Sequence, residues 1–238
     1  MAEYYTTRVP GEALYDLVEP IQIRKITPIE QKRFLSLLNN DATNEELIKF
    51  INQLIIGVDP TKLYWPDYYY ILYQLRLTSY KMIPLNMHFK CPECGEHNKI
   101  EINIANLKVD DVPETYTRDS KINLENFGEV PIRYKQVGDD ITCDMFMKQR
   151  RLDEKDDNLK ILVYDLLLLS NWKSLPELWA LAESGDITVQ DIALIEKFID
   201  DNTWGVREEY TYVCRHCNKE VSNPFAVRLD DFFPSNYN

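Results

Sequence analysis

Apolar residues recur every three or four positions along much of the chain, and this spacing predicts helices that bury one face. Thr27 and Thr43 are each followed three residues later by a glutamate, which is the sequence pattern of a capped helix start. The chain is therefore expected to be mainly helical. The predicted helices cover approximately residues 28–38, 44–56, 66–79, 140–151, 155–170, 174–185 and 188–201.

Shorter stretches alternate between apolar and polar residues, which predicts strands. One strand is expected at 21–26, directly before the first helix. Other stretches occur in pairs separated by turn residues and therefore predict β-hairpins. The predicted hairpins pair 85–90 with 98–104, 121–124 with 130–137, and 210–213 with 221–229.

Two of the predicted hairpins carry a Cys-x-x-Cys motif at the turn. Cys91 and Cys94 lie in one, and Cys214 and Cys217 lie in the other. Two cysteines at this spacing on a tight turn place both thiolates on the same side, and two such pairs complete the tetrahedral shell of a structural zinc site. We therefore expect these four cysteines to bind one Zn²⁺.

The residues beside the cysteines favour tight turns. Pro92 restricts φ, Gly95 accepts a positive φ, and Asn218, at the matching place of the second motif, tolerates the left-handed region. Disulfides are the first alternative, and they would require an oxidising compartment. A redox Cys-x-x-Cys is the second, but such a motif normally opens a helix, whereas both motifs here lie between predicted strands.

Three histidines near the motifs, His88, His97 and His216, are alternative ligands. Because four cysteines already complete the shell of a structural site, we expect the histidines to be solvated or to lie beside the metal without binding it. Cys143 stands alone in the sequence and is expected to be a small buried apolar side chain.

The zinc hypothesis determines the predicted architecture. The expected fold class is α+β: mainly helical, with a zinc-ribbon-like pair of β-hairpins closing around a helical insertion. The predicted regions are an extended N-terminal arm over 1–20, an N-terminal helical region over 21–84, and a zinc-ribbon-like domain over 85–238. The insertion in that domain, a hairpin followed by helices, covers 105–206.

Charge argues against nucleic acid as a direct partner. The chain of 238 residues has a formal net charge of −12, and a protein that binds phosphate backbones needs clustered lysine and arginine. The cysteine hairpins are close to neutral. The N-terminus has neither the basic start nor the apolar segment of a secretion signal, so synthesis in a reducing cytoplasm is expected. The most apolar run, 161–169, is too short to cross a bilayer.

Groupings typical of enzymes are missing from the sequence. It contains no G-x-S-x-G, P-loop, H-E-x-x-H or G-x-G-x-x-G motif, and only seven glycines and three histidines. A zinc ion with four protein ligands has no open position for a substrate water. The chain is therefore expected not to be an enzyme.

The cysteine motifs and the C-terminal segment together resemble a known family. The stretches Phe89–Gly95, Tyr212–Cys217 and Arg228–Pro234 resemble the T-even-like phage baseplate hub proteins, and the length, the acidic balance and the strand–helix opening over Ile21–Glu30 fit as well. This resemblance implies a structural or assembly protein of a contractile phage tail. Such a protein would bind other tail proteins in a hetero-oligomeric assembly and would be located in the virion after synthesis in the host cytoplasm.

Three functional hypotheses therefore stand at the level of sequence. The first is a structural subunit of the baseplate hub region with a structural zinc site. The second is a regulatory zinc-ribbon module that binds nucleic acid or the transcription machinery. The third is a chaperone of hub assembly that is absent from the finished particle.

Phe232 and Phe233 near the C-terminus are expected either to contact a partner or to dock back on the domain.

Overall fold

The computed structural model describes residues 3–40, 42–80, 83–153, 155–225, 227, 232 and 233. Seven α-helices lie within these residues. Their bounds are α1 Pro28–Asn39, α2 Asn44–Asn52, α3 Trp65–Tyr80, α4 Gly138–Arg150, α5 Asp157–Leu168, α6 Leu175–Ser184 and α7 Val189–Asp201. Over the described residues, none of the helices combines the length and the apolar character that a bilayer crossing requires.

The strands are short and pair only antiparallel in the described part of the chain. Their bounds are β1 Tyr4–Thr6, β2 Gln22–Arg24, β3 Ile55–Ile56, β4 Leu85–Lys90, β5 His97–Ile102, β6 Val109–Asp110, β7 Lys121–Leu124, β8 Gly128–Pro131, β9 Gly205–Val206, β10 Glu209–Val213 and β11 Glu220–Pro224. The first three form one sheet, and the others form the pairs β4–β5, β6–β9, β7–β8 and β10–β11. The expected mixture of helices and small sheets is confirmed.

The predicted helix caps are present. Thr27 accepts a hydrogen bond from the backbone N–H of Glu30, and the Glu30 carboxylate accepts one in return from the N–H of Thr27. Thr43 and Glu46 make the same reciprocal pair at the start of α2. Each box satisfies two N–H groups that have no partner within the helix, so these starts are determined locally.

Several predicted bounds are wrong, and the helix expected over 44–56 is the clearest case. It ends at Asn52, and β3 follows, with Ile55 opposite Ile23 in the sheet. Ile55 is buried there, so pairing with a distant strand overrides the local helical spacing. The second strand of the middle hairpin covers Gly128–Pro131 rather than 130–137. Residues 226 and 228–231, which belong to the last predicted strand and the terminal motif, lie outside the described residues, as do residues 1, 2 and 234–238.

The apolar side chains form two large cores. The first contains residues from α1, α2, α3, the two cysteine hairpins and the C-terminal pair of phenylalanines. The second is built by α4 to α7 together with β7 and β8, and its buried members all lie between Leu124 and Ile195. The segment between the cysteine motifs therefore has an apolar core of its own.

A buried carboxylate, Asp67 at the start of α3, connects the N-terminal segment to the rest of the protein. It accepts hydrogen bonds from the backbone N–H of Gly11 at 2.8 Å, the Tyr15 hydroxyl at 2.5 Å and the Trp204 indole N–H at 3.1 Å. A side chain at Gly11 would overlap the carboxylate, since an added Cβ would lie 2.2 Å from its Oδ2. Burial raises the pKa of Asp67, although the three donors act in the opposite direction.

The C-terminal phenylalanines dock back on the protein, which is one of the two expected outcomes. Phe232 and Phe233 are both fully buried. Phe233 lies edge-on to Phe34 of α1 with ring centroids 4.6 Å apart, and Phe232 lies edge-on to Tyr73 of α3 at 4.9 Å. The chain that follows the second cysteine hairpin thus completes the first core.

A second buried acid predicts how stability changes with pH. Asp165 of α5 is 3% exposed, and its Oδ2 has no hydrogen-bond partner among the described residues. Burial, and then the charge of Glu196, raise the pKa of Asp165 to about 7 from its ordinary 3.8. Between these values the native state holds a proton that the unfolded state has lost, so stability falls as pH rises through this window and stays low above it.

We therefore expect Asp165→Asn to stabilise the protein by about 2–4 kcal/mol at pH 8 and to change little at pH 4. Denaturant unfolding at the two pH values measures this difference. Glu196→Gln is the matched control: it removes only the charge of Glu196, the smaller of the two causes that raise the pKa of Asp165. It should therefore stabilise the protein at pH 8 less than Asp165→Asn does. A variant Asp165→Asn that is equally or less stable than the wild type at pH 8 would contradict the expectation.

Candidate metal centre

The two cysteine motifs lie on turns with the same backbone geometry. In the first turn the N–H of Cys91 donates to the Glu96 carbonyl, and the N–H of Gly95 donates to the Cys91 carbonyl, both at 2.9 Å. In the second turn, the N–H of Cys214 donates to the carbonyl of residue 219 and the N–H of Asn218 to the Cys214 carbonyl, again at 2.9 Å. Gly95 has φ +79° and Asn218 φ +57°, so both predicted left-handed positions are confirmed.

The four predicted ligands lie together. The sulfurs of Cys91, Cys94, Cys214 and Cys217 are all within 4.8 Å of one another. Two close contacts cross between the hairpins: Cys91 Sγ lies 3.9 Å from Cys217 Sγ, and Cys94 Sγ lies 3.7 Å from Cys214 Sγ. These distances are well beyond the S–S bond of about 2.05 Å in a disulfide, and all four residues are free cysteines. Such a group could hold a metal ion.

Asn98, which sequence reasoning missed, holds the two turns against each other. It is 1% exposed, its Oδ1 accepts a hydrogen bond from the backbone N–H of Arg215 at 3.0 Å, and its Nδ2 points to Cys214 Sγ at 3.5 Å. Asn98 lies on β5 in the register that faces inward with Ile100 and Ile102. A polar residue at an apolar-facing strand position, four residues after a ligand, was the available signal.

Two further contacts connect the hairpins. Phe89 and Tyr212 precede the two motifs, and their rings stack with centroids 5.5 Å apart. The side-chain amide of Asn223 donates to the backbone carbonyl of Lys90 at 3.1 Å. The cluster of sulfurs therefore belongs to a packed interface between β4–β5 and β10–β11 rather than to two independent turns.

The pKa values of the thiols show why a cation suits this cluster. Hydrogen bonds from the backbone N–H groups of Cys217 and His216 lower the pKa of Cys214 to about 6 against the effect of burial. The N–H of Glu96 also acts to lower the pKa of Cys94, but partial desolvation and hydrogen bonds with the sulfurs of Cys91, Cys214 and Cys217 outweigh it and raise this pKa to about 12, although Cys94 itself is exposed. Four thiolates this close repel one another, and a bound cation removes that repulsion.

The three histidines and Cys143, the other candidate ligands, do not belong to this group of sulfurs. His88, His97 and His216 are exposed, and the group of close ligand atoms in the described part of the chain consists of the four cysteines. Cys143 is fully buried in the second core, where burial raises the pKa of its thiol to about 11. The expectation that Cys143 is a buried apolar side chain is confirmed.

Comparison with known proteins identifies a family. The sequence profile of the family described as "T4 bacteriophage base plate protein" matches residues 1–234, which is nearly the whole chain. No curated protein and no solved structure matches significantly. Because the profile covers both cysteine hairpins and everything between them, the chain belongs to the family of T4 bacteriophage base plate proteins.

Proposed function

We propose that the protein is a structural subunit of the hub region in a contractile phage tail baseplate, where it binds other tail proteins. The family match over residues 1–234 is the observation that supports this role. The subunit would be made in the host cytoplasm and retained in the virion. We propose a structural rather than a catalytic role, and the match to a base plate protein family supports this proposal.

We further propose that Cys91, Cys94, Cys214 and Cys217 bind one structural Zn²⁺. Metal–sulfur bonds of about 2.3 Å in a tetrahedron place neighbouring sulfurs about 3.8 Å apart. The cross-hairpin contacts of 3.9 and 3.7 Å agree with this spacing. Four thiolates are the ligand set of structural zinc sites, and the N–H donors to Cys214 stabilise its thiolate.

A zinc ion at this position would connect distant parts of the chain. Cys91 and Cys217 are separated by 126 positions, and the second core lies between them in sequence. We therefore propose a zinc-ribbon-like domain over 85–238 that carries the insertion 105–206, and its two cysteine hairpins share the first core with the helices of the N-terminal region over 21–84. In this arrangement the metal holds the base of the insertion closed.

Two measurements test the proposed function. Purified protein is expected to contain one zinc per chain by elemental analysis, and finished phage particles are expected to contain the protein by mass spectrometry. Absence of bound metal would refute the zinc site. Presence only in assembly intermediates, and never in finished particles, would replace the structural role by that of an assembly chaperone.

A fluorescence titration against duplex and single-stranded nucleic acid at low salt tests the regulatory zinc-ribbon hypothesis. With a net charge of −12 we expect no tight binding. Tight binding that weakens steeply with added salt would contradict the baseplate proposal, because it would show a contact with the phosphate backbone.

A further inference from the structure

An exposed apolar surface lies on the segment between the cysteine motifs. It consists of the exposed Phe127 in the β7–β8 turn, the half-buried Trp172 in the loop between α5 and α6, and the exposed Val189 at the first position of α7. Val189 is 87% exposed and Phe127 36% exposed, whereas most apolar side chains of this segment are in the second core. We call these three residues the tip patch.

The tip patch is held in place by contacts between its loops. The rings of Phe127 and Trp172 pack edge-on with centroids 4.9 Å apart. The Asn126 amide donates to the Asp186 carbonyl at 2.9 Å, and the N–H of Glu125 donates to the Asp191 carboxylate at 2.8 Å. These two hydrogen bonds hold the β7–β8 turn against residues before and after Val189 in the chain. The patch is thus a preformed surface, and little conformational entropy would be lost when a partner binds.

The chain segments that carry the three patch residues also carry exposed acidic side chains. There are five exposed carboxylates on residues 125–129, 172–177 and 183–189. These segments carry a single basic side chain, a lysine. That lysine, Lys173, lies over the Trp172 ring at 5.0 Å. The exposed carboxylates are Glu125, Glu129, Glu177, Glu183 and Asp186. Lys121 of β7 pairs with Glu129 at 3.6 Å, so the rim carries five carboxylates against two lysines and is acidic on balance. Apolar anchors with a rim of predominantly one charge are typical of protein interfaces that select an oppositely charged partner.

We propose that the tip patch is a docking surface for a cationic segment of another baseplate protein, one that brings an apolar side chain flanked by lysine or arginine. This inference rests on the proposed function, and it adds which surface makes the contact and what chemistry the partner has. A second copy of this chain fits poorly, because it also has a charge of −12. Nucleic acid fits poorly because the rim would repel phosphates.

The test replaces Val189 by a positively charged residue in one variant and by a negatively charged residue in another. Cells infected with phage that lacks its own copy of the gene are supplied with Val189→Lys, Val189→Glu or wild-type protein, and the amount of protein in sedimented tail particles is measured. We expect about a tenfold loss for Val189→Lys and less than about twofold for Val189→Glu, because only the lysine repels a cationic partner. Melting curves of the purified variants confirm that they fold.

Val18→Lys is the matched control. Val18 is the same residue type, is 97% exposed and lies in the N-terminal segment, so incorporation of this variant should equal that of the wild type. Equal incorporation of Val189→Lys and wild type would overturn the docking surface and leave the proposed function intact. Absence of the wild-type protein from particles and from tail subassemblies would overturn the proposed function and this inference with it.

A photo-crosslinking amino acid at position 189 tests the chemistry of the partner directly. We expect the crosslinked peptide, identified by mass spectrometry, to come from a different tail protein and to contain more lysine and arginine than aspartate and glutamate. A crosslink to an acidic peptide, to a second copy of this chain or to nucleic acid would overturn the proposal.

Discussion

Replacement of Cys214 by serine is expected to abolish binding of the proposed zinc ion and to unfold the region that the two hairpins hold together. Zinc binding to four thiolates in small modules contributes on the order of 10 kcal/mol to folding, which is comparable to the whole stability of a typical domain. Cys214 is fully buried and accepts hydrogen bonds from Asn98 and from the backbone of His216. Serine would lose the metal and leave these donors poorly satisfied.

Metal content by elemental analysis and thermal unfolding by circular dichroism measure this effect. Cys91→Ser should behave like Cys214→Ser, and a strong chelator should lower the melting temperature of the wild-type protein. Cys143→Ser is the matched control: it removes a buried thiol of the second core but should keep one zinc per chain. Unchanged melting of Cys214→Ser, or of the wild type in chelator, would show that no metal holds the hairpins together.

Replacement of Phe233 by alanine is expected to destabilise the protein by about 3–5 kcal/mol, because the fully buried ring would leave a cavity. The ring packs edge-on against Phe34 of α1, which is itself fully buried. Phe232→Ala should have a similar effect, since Phe232 packs on Tyr69 and Tyr73 of α3. Denaturant unfolding measures the loss for each variant.

The control for this prediction is an alanine substitution at Phe127, which makes the same chemical change at an exposed site and should cost about 1 kcal/mol or less. A Phe233→Ala variant no less stable than Phe127→Ala would mean that the C-terminal segment does not contribute to the core. Incorporation of Phe233→Ala into particles should fall only as far as its stability falls, because the ring faces the interior of the protein and not a partner.

Local features of the site could be predicted because a few neighbouring residues encode them. The left-handed turns at Gly95 and Asn218 follow from the conformational freedom of these two residues, and the strands on either side follow from alternation. The capping boxes at Thr27 and Thr43 similarly need only residues three positions apart. Each of these predictions depends on contacts within one turn of the chain.

Features that depend on distant pairing were missed or left open. The spacing of Leu54 and Ile55 continues the helical pattern of α2, but Ile55 instead pairs with Ile23 of a strand more than 30 positions earlier. The role of Asn98 depends on Arg215, which is 117 positions away. The choice between a partner and the interior for Phe233 depends on a space beside Phe34 that no local pattern reveals.

By itself the sequence determined the four cysteines, the geometry of their turns and the helix starts, since these arise from intrinsic backbone preferences and short-range hydrogen bonds. Only the tertiary structure decided that the two turns face each other, that Asn98 connects them and that Phe232 and Phe233 close the first core. The physical reason is that burial and packing reward contacts between residues far apart in the chain, and many different pairings are compatible with the same local pattern.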